Sequence, residues 1–314
     1  MSFKKKISVI GGGTGTYTVL RGLKKKNVDL TAIVSMFDSG KSTGILRDEY
    51  GILPPGDIRR CLLALADERK NEFLRLLFDF RFLNGSVSPH NLGNLIMKAA
   101  EDIKGDYILG IEELSKLFNI KGRVLPVTTQ NANLLALLED GTHILGETNI
   151  DIPKHDTNVR IKELSLSSKC VVHEDTERAL TYSDIIVIGP GDLYTSIIPN
   201  LLVDGVREAI MKKALVVYVC NLVTKKGETD SFSVQDHVRI VKKYLKGDID
   251  YVIANSKIPT QETIKRYESE GSFIVKLEDD DMEGRIKLFE VASSTELYRH
   301  DSDKLAEVIL SLQD

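Results

Sequence analysis

The chain has only three cysteines, Cys61, Cys170 and Cys220, and no C-x-x-C pair among them. An odd, widely spaced set offers neither a disulfide framework nor a zinc ribbon. It reads as reduced, mostly buried thiols of a cytoplasmic protein. Long hydrophobic runs are missing as well. The longest clean one, Ala214 to Cys220, is far short of the roughly 20 residues that cross a bilayer. Lys4-Lys5-Lys6 mimics the charged start of a signal peptide, but the apolar stretch Ile7 to Ile10 stops early at a glycine run. Neither charge sign dominates. Forty-two Lys and Arg against 46 Asp and Glu leave −4, which argues against a general nucleic-acid or membrane-surface binder. Repeats, low-complexity tracts and Pro/Ser linkers are absent, so residues 1–314 read as one α/β domain.

Short β-branched runs alternate with helical patterns. Ile7–Ile10, Leu30–Ser35, Asp184–Ile188, Leu215–Cys220 and Tyr251–Ala254 read as strands. Helices are expected from about Thr16, from Asp57 and from Asn91. Continuous apolar strands between helices predict a mainly parallel sheet covered on both faces. Between about 122 and 172 the pattern turns β-rich, with Asp140-Gly141 as a hairpin signal, and this segment reads as an insertion. The acidic run Glu278 to Asp281 lacks the spacing of a calcium loop and reads as solvated.

Glycine-rich segments carry the chemistry. Gly11-Gly12-Gly13-Thr14-Gly15 follows the first strand and leads into a helix, where a tight turn and unpaired N–H groups suit a phosphate. Thr16 stands where the dinucleotide fingerprint requires glycine. Ser39-Gly40-Lys41-Ser42-Thr43-Gly44 resembles part of a P-loop, but Ser35 replaces the first glycine, and no long amphipathic helix is expected after it. It reads instead as a loop lining the same crevice, with Asp38, Gly40, Lys41 and Ser42 toward the ligand. Gly56-Asp57-Ile58-Arg59-Arg60 opens a helix with Asp57 as its expected N-cap. Arg59 and Arg60 oppose the dipole of that first turn, for which an anionic ligand is one explanation.

His90, Asn91 and Asn94 mark another polar helix start. A lone histidine there is more often structural than catalytic, and neither a nucleophile nor a metal-ligand spacing accompanies it. Gly189, Gly191, Asp192, Thr195 and Ser196 leave one strand, and Asn221 and Thr224 leave another. In a parallel sheet these carboxyl ends share one edge, so distant segments gather around one crevice.

Taken together, these segments resemble the YvcK-type gluconeogenesis factors of the CofD-like superfamily, which also holds 2-phospho-lactate transferases. The matching runs are Ile10–Gly15, Pro54–Arg59, His90–Leu95, Gly189–Asn200 and Tyr218–Asn221 with Gly227–Thr229, joined by Asp236-His237 and Arg299-His300-Asp301. The resemblance implies a cytoplasmic protein with a Rossmann-like, doubly wound core. It implies a UDP-sugar ligand, notably UDP-N-acetylglucosamine, and a role in cell shape and wall synthesis on gluconeogenic carbon. It links Arg299 to ligand binding. It also implies a second acid where Ser39 stands and a glycine where Lys41 stands, so transferase chemistry is weakened in this chain.

The leading expectation is therefore a regulator that binds a nucleotide sugar without turning it over and acts through a protein partner. No metal site is expected, and a homodimer is left open. The alternative is a magnesium-dependent, phospho-lactate-transferase-like enzyme using Asp38 and Asp57. A P-loop kinase rests only on Gly40-Lys41-Ser42.

Overall fold

The computed structural model describes residues 4–67, 72–278, 282, 284–293 and 297–312. The first part runs β1 (Lys5–Gly11), α1 (Gly13–Leu23), β2 (Val28–Val34), α2 (Lys41–Tyr50), α3 (Gly56–Leu65), α4 (Glu72–Asp79), α5 (Leu92–Lys104), α6 (Tyr107–Leu117) and β3 (Arg123–Pro126). The middle holds β4 (Leu134–Leu138), β5 (His143–Leu145), α7 (Glu147–Asp151) and β6 (Ile161–Leu166). The last part opens with α8 (Glu174–Thr181), β7 (Ile185–Ile188), a π-helical turn at Leu193–Ile197, α9 (Ile198–Leu201), α10 (Val206–Ile210) and β8 (Leu215–Val219). It closes with α11 (Val234–Leu245), β9 (Tyr251–Asn255), α12 (Gln261–Ser269), β10 (Ile286–Phe289) and α13 (Ser302–Ser311).

Seven strands form one all-parallel sheet in the order β10-β9-β8-β7-β1-β2-β3. The expected neighbours are neighbours: Ile10 pairs with Ile33 on one side and Ile188 on the other. Ile7 to Gly11 and all of β7 are buried, as strands covered on both faces must be. Helices supply the cover, and α1 packs against both α3 and α13. From β1 the chain builds outward to β2 and β3, then returns to place β7 on the opposite side. The strand order thus reverses between β1 and β7, where open α/β sheets leave a crevice.

The β-rich segment divides. Its first strand, β3, joins the large sheet, while β5-β4-β6 form a separate antiparallel sheet with Asp140-Gly141 at the β4–β5 turn. Two helix expectations need correction. Helix α1 begins at Gly13 rather than Thr16, so the glycine run supplies its first turn. Helix α2 exists, although no amphipathic stretch announces it. Asp38 satisfies the Gly40 N–H (2.8 Å) and the Thr43 hydroxyl (3.0 Å) at its start. Gly51, at φ +67°, closes its end.

All three cysteines are free and buried. Among the described residues, no helix is long and apolar enough to cross a membrane. Of the acidic run, Glu278 is exposed beside Arg239, and 279–281 lie outside the described residues.

Candidate functional site

A cavity of about 480 Å³ opens at the reversal point between β1 and β7. Gly12, Gly13, Thr14 and Gly15 border it from the start of α1, and Gly191, Asp192, Thr195 and Ser196 from the loop after β7. Asp38, Gly40 and Ser42 enter from the loop after β2, Gly56, Asp57 and Arg59 from α3, and Asn94 from α5. Four helices of at least ten residues therefore aim their first turns at one cavity. Each brings the positive end of its dipole.

Close packing explains two of the glycines. A Cβ on Gly15 would lie 2.0 Å from the Pro190 carbonyl oxygen, and one on Gly12 would lie 2.4 Å from Asp57 Oδ2. At Gly15 backbone must approach backbone, which fixes the α1 turn against the β7 loop, whereas at Gly12 the close neighbour is the Asp57 side chain from α3.

Asp57 is not a helix cap. Pro55 occupies the cap position and no side chain caps α3. The carboxylate instead turns toward α1 and accepts a hydrogen bond from the Gly13 backbone. Burial, and then repulsion from Asp38, push its pKa up to about 6. Arg59 borders the cavity, but its guanidinium is held by the Phe78 carbonyl oxygen (2.8 Å) and by Asp79 (2.5 Å). Its neighbour Arg60, unlike Arg59, is half-exposed, with Nη1 4.0 Å from Asp57. The dipole argument thus points to Arg60, which also borders the cavity.

Other expected residues sit one layer back. Gly11 closes β1, and Gly189 lies buried behind Gly191. His90 Nδ1 meets Ser42 Oγ at 3.3 Å, and Asn91 caps α5 by accepting the Asn94 N–H. Asn221 accepts the Gly191 N–H at 3.2 Å, and Thr195 donates to Glu228 at 3.3 Å. Thr224 pairs with Phe273 away from the cavity. Arg299 is exposed and does not border it, whereas the preceding Tyr298 lines a second recess of about 320 Å³ with Asn221, Asn255 and Lys257. Lys41 opens α2, and its side chain lies outside the described residues.

Sequence reasoning missed the acids contributed from a distance. Helix α7 brings Glu147 and Asp151 to the cavity, and the loop before α4's successor brings Arg81. Glu147 accepts the Ser39 N–H at 3.2 Å, while Ser39 Oγ meets Thr148 Oγ1 at 2.9 Å. Burial and the nearby Asp38 raise the Glu147 carboxyl well above the usual carboxylate range. Asp151 and Asp192 grip Lys225 at 2.6 and 3.3 Å. Their oxygens also cluster with that of the buried Glu228, whose carboxyl is raised by burial and by Asp192. With an ammonium already among them, these three acids read as an ion-pair network. Asp192 is expected from its glycine-rich loop and Glu228 lies in a run that matches the family, whereas only tertiary structure brings Asp151 to them.

Comparisons with known proteins agree with this architecture. A family model described as 2-phospho-L-lactate transferase CofD matches residues 7–294. The chain is 39% identical to the gluconeogenesis factor of Bacillus subtilis, over 99% of each protein. It is also 39% identical to the gluconeogenesis factor of Halalkalibacterium halodurans, over 98% of this chain and 96% of that one. A crystal structure of a UPF0052 family member from Bacillus halodurans superposes with a TM-score of 0.93 at 36% identity, covering 99% of this chain and 100% of that one.

Proposed function

The chain belongs to the CofD family, and from that premise we propose that it is a nucleotide-sugar-binding regulator of the gluconeogenesis-factor type. The observation that carries this reading is the convergence of four helix starts on the cavity between β1 and β7. Such a place favours a diphosphate, met by the backbone N–H groups of Thr14 and Gly15, by that of Gly13 on its release from Asp57, and by Arg60 and Arg81. Asn221 spans from Gly191 to the second recess. The nucleoside extends along that path toward Tyr298 and Arg299, the residue the family resemblance links to ligand binding. UDP-N-acetylglucosamine is the ligand that resemblance favours. A protein partner in the cytoplasm then reads its level, in support of cell shape and wall synthesis on gluconeogenic carbon.

A second reading has its own observation. Glu147 places a carboxylate beside Asp38, where Ser39 offers none. Asp38, Asp57 and Glu147 are hard oxygen donors of the kind magnesium takes, together with ligand phosphates. The ion would neutralise charge on the nucleoside monophosphate that leaves as the phosphorylated group passes to an acceptor hydroxyl, while Arg60 and the α1 N–H groups would orient the donor.

One experiment separates the two. The purified chain is titrated with UDP-N-acetylglucosamine in a thermal-shift assay, with and without magnesium, and the nucleotide products are separated by chromatography. Binding without turnover is expected, and ligand at 100 times its dissociation constant adds about 2.7 kcal/mol of stability. Magnesium-dependent products that disappear in Asp38→Asn overturn the regulator in favour of the transferase.

A further inference from the structure

We propose that the amino edge of the large sheet carries a second anion site, which takes a chain of directly linked phosphates such as an inorganic oligophosphate. Two recesses meet there, one of about 770 Å³ and one of about 210 Å³, and Lys6 and Asp29 line both. Neither shares a lining residue with the cavity between β1 and β7. That cavity lies at the carboxyl edge, a strand length away, which for β1 is roughly 20 Å at about 3.3 Å per residue.

Charge sets this edge apart. Lys4, Lys6, Lys24, Lys25, Lys26 and Lys121 line the larger recess, and Arg123 and Arg178 join Lys6 in the smaller. Asp29, the neighbour of Lys6 across the β1–β2 ladder, is the single acid among the described residues that line either one. This is an excess of cations in a chain whose net charge is −4. Helix geometry accounts for part of the cluster. Lys24 to Lys26 follow α1, where cations suit the dipole. Lys24 donates to the Ala66 carbonyl at 2.9 Å, and Lys25 and Lys26 pair with Asp303 and Glu307. Lys4, Lys6 and Lys121 have no such explanation. They come from the starts of β1 and β3, are exposed, and pair with no acid among the described residues. Like charges gathered around one recess repel one another until an anion enters.

The rest of the lining selects the ligand class. The smaller recess has hydroxyls on its floor: Ser8, Thr31 and Ser183 are buried there, and the Ser8 and Ser183 Oγ atoms meet at 2.7 Å. Arg123 donates to Thr31 Oγ1 at 3.2 Å. That bond anchors a guanidinium, the group best shaped to grip phosphate oxygens. Strands lie about 4.8 Å apart, so the cations at the starts of β1 and β3, which flank β2, span roughly 10 Å. Phosphates linked directly to one another put several negative charges into that distance. Single-stranded nucleic acid also calls for aromatic platforms, and Tyr182 is the one aromatic among the described lining residues. A membrane surface calls for an exposed apolar face, and Tyr182 is again the one large apolar side chain exposed among them.

The test titrates the full chain with sodium tripolyphosphate in a calorimeter, at low and at physiological ionic strength. It compares the wild type with the triple variant Lys4→Gln/Lys6→Gln/Lys121→Gln. The three side chains are exposed and lie outside the cavity, and a retained cooperative melt by circular dichroism checks that the variant folds. Wild-type binding that weakens with salt and falls about tenfold or more in the folded variant is the expected result. Tripolyphosphate also suits the cavity, so amide exchange locates it: protection is expected at residues 4–6 and 121–123. A wild type that binds no tripolyphosphate, a folded variant that binds it as tightly, or protection confined to residues 13–15 overturns the proposal. Single-stranded oligothymidylate or phosphatidylserine vesicles that bind more tightly, through the same three lysines, overturn the ligand class in favour of nucleic acid or membrane. UDP-N-acetylglucosamine binding should be equal in the two proteins, and its absence from both counts against the nucleotide-sugar reading alone.

Discussion

The two arms that enclose the cavity are built on different principles. On the parallel-sheet side, much of the wall is backbone, in glycine turns at the ends of β1 and β7 and the opening turns of α1, α2, α3 and α5, joined by the carboxylates of Asp38 and Asp57. On the antiparallel side, the wall is side chains, with Glu147 and Asp151 projecting from the short helix α7. The first arm presents N–H groups whose partial positive charge cannot titrate, together with the Asp57 carboxyl, which does. The other presents carboxylates whose charge depends on pH and on any cation nearby. Under the proposed function, the N–H groups that would hold an anion and the acids of α7 come from separate pieces of the chain.

The sharpest way to break this comparison is to put a carboxylate on the backbone arm. Gly13 has φ +64°, and a Cβ there would sit 3.5 Å from Arg60 Nη1 and 3.8 Å from Asp57 Oδ1. Gly13→Asp should abolish UDP-sugar binding in calorimetry, with about 1–2 kcal/mol of backbone strain added to the folded state. Undiminished affinity in a folded variant would place the anion elsewhere.

A smaller effect tests the titrating groups. The Asp57 pKa is raised to about 6, against about 3.9 in an unfolded chain. A raised carboxyl favours the fold fully below about pH 4, and this contribution is lost as pH climbs through 6. Asp57→Asn should therefore remove that decline and leave the ligand-free protein more stable than wild type at pH 8, by on the order of 2 kcal/mol. Denaturant melts at pH 4.5 and 8 measure it, and parallel pH profiles for the two proteins would refute the assignment.

The smallest effect concerns the seam between the arms. Ser39 Oγ meets Thr148 Oγ1 and accepts the Thr148 N–H, both at 2.9 Å. Ser39→Ala should cost about 1 kcal/mol and speed amide exchange in α7. Unchanged exchange there would show that α7 is held by Lys225 and its own sheet instead.

The backbone arm was the legible one. Glycine runs after apolar strands announce a tight turn locally, and parallel strands bring their carboxyl ends to one edge, so Gly12–Gly15 and Gly191–Ser196 could be assembled on paper. Asp57 misled because aspartate at a helix start is usually a cap; contact with the Gly13 backbone won over that local preference. Helix α2 was missed because its polar face is nearly continuous and its support comes from Asp38 and Gly51. Glu147, Asp151 and Arg81 reach the cavity through tertiary packing, for which a single sequence carries no period or spacing.

The central position of β1 has a consequence for the order of folding. Ile7 pairs with Leu30 early in the chain, but its other partner is Ile185. During synthesis, β1 therefore waits with one edge unpaired until β7 emerges, a long-range closure of the kind that folds slowly and exposes strand edges meanwhile. The two halves of the cavity meet at that same step. A ligand in the cavity would reward only the finished sheet, so it should act as a latch on that closure.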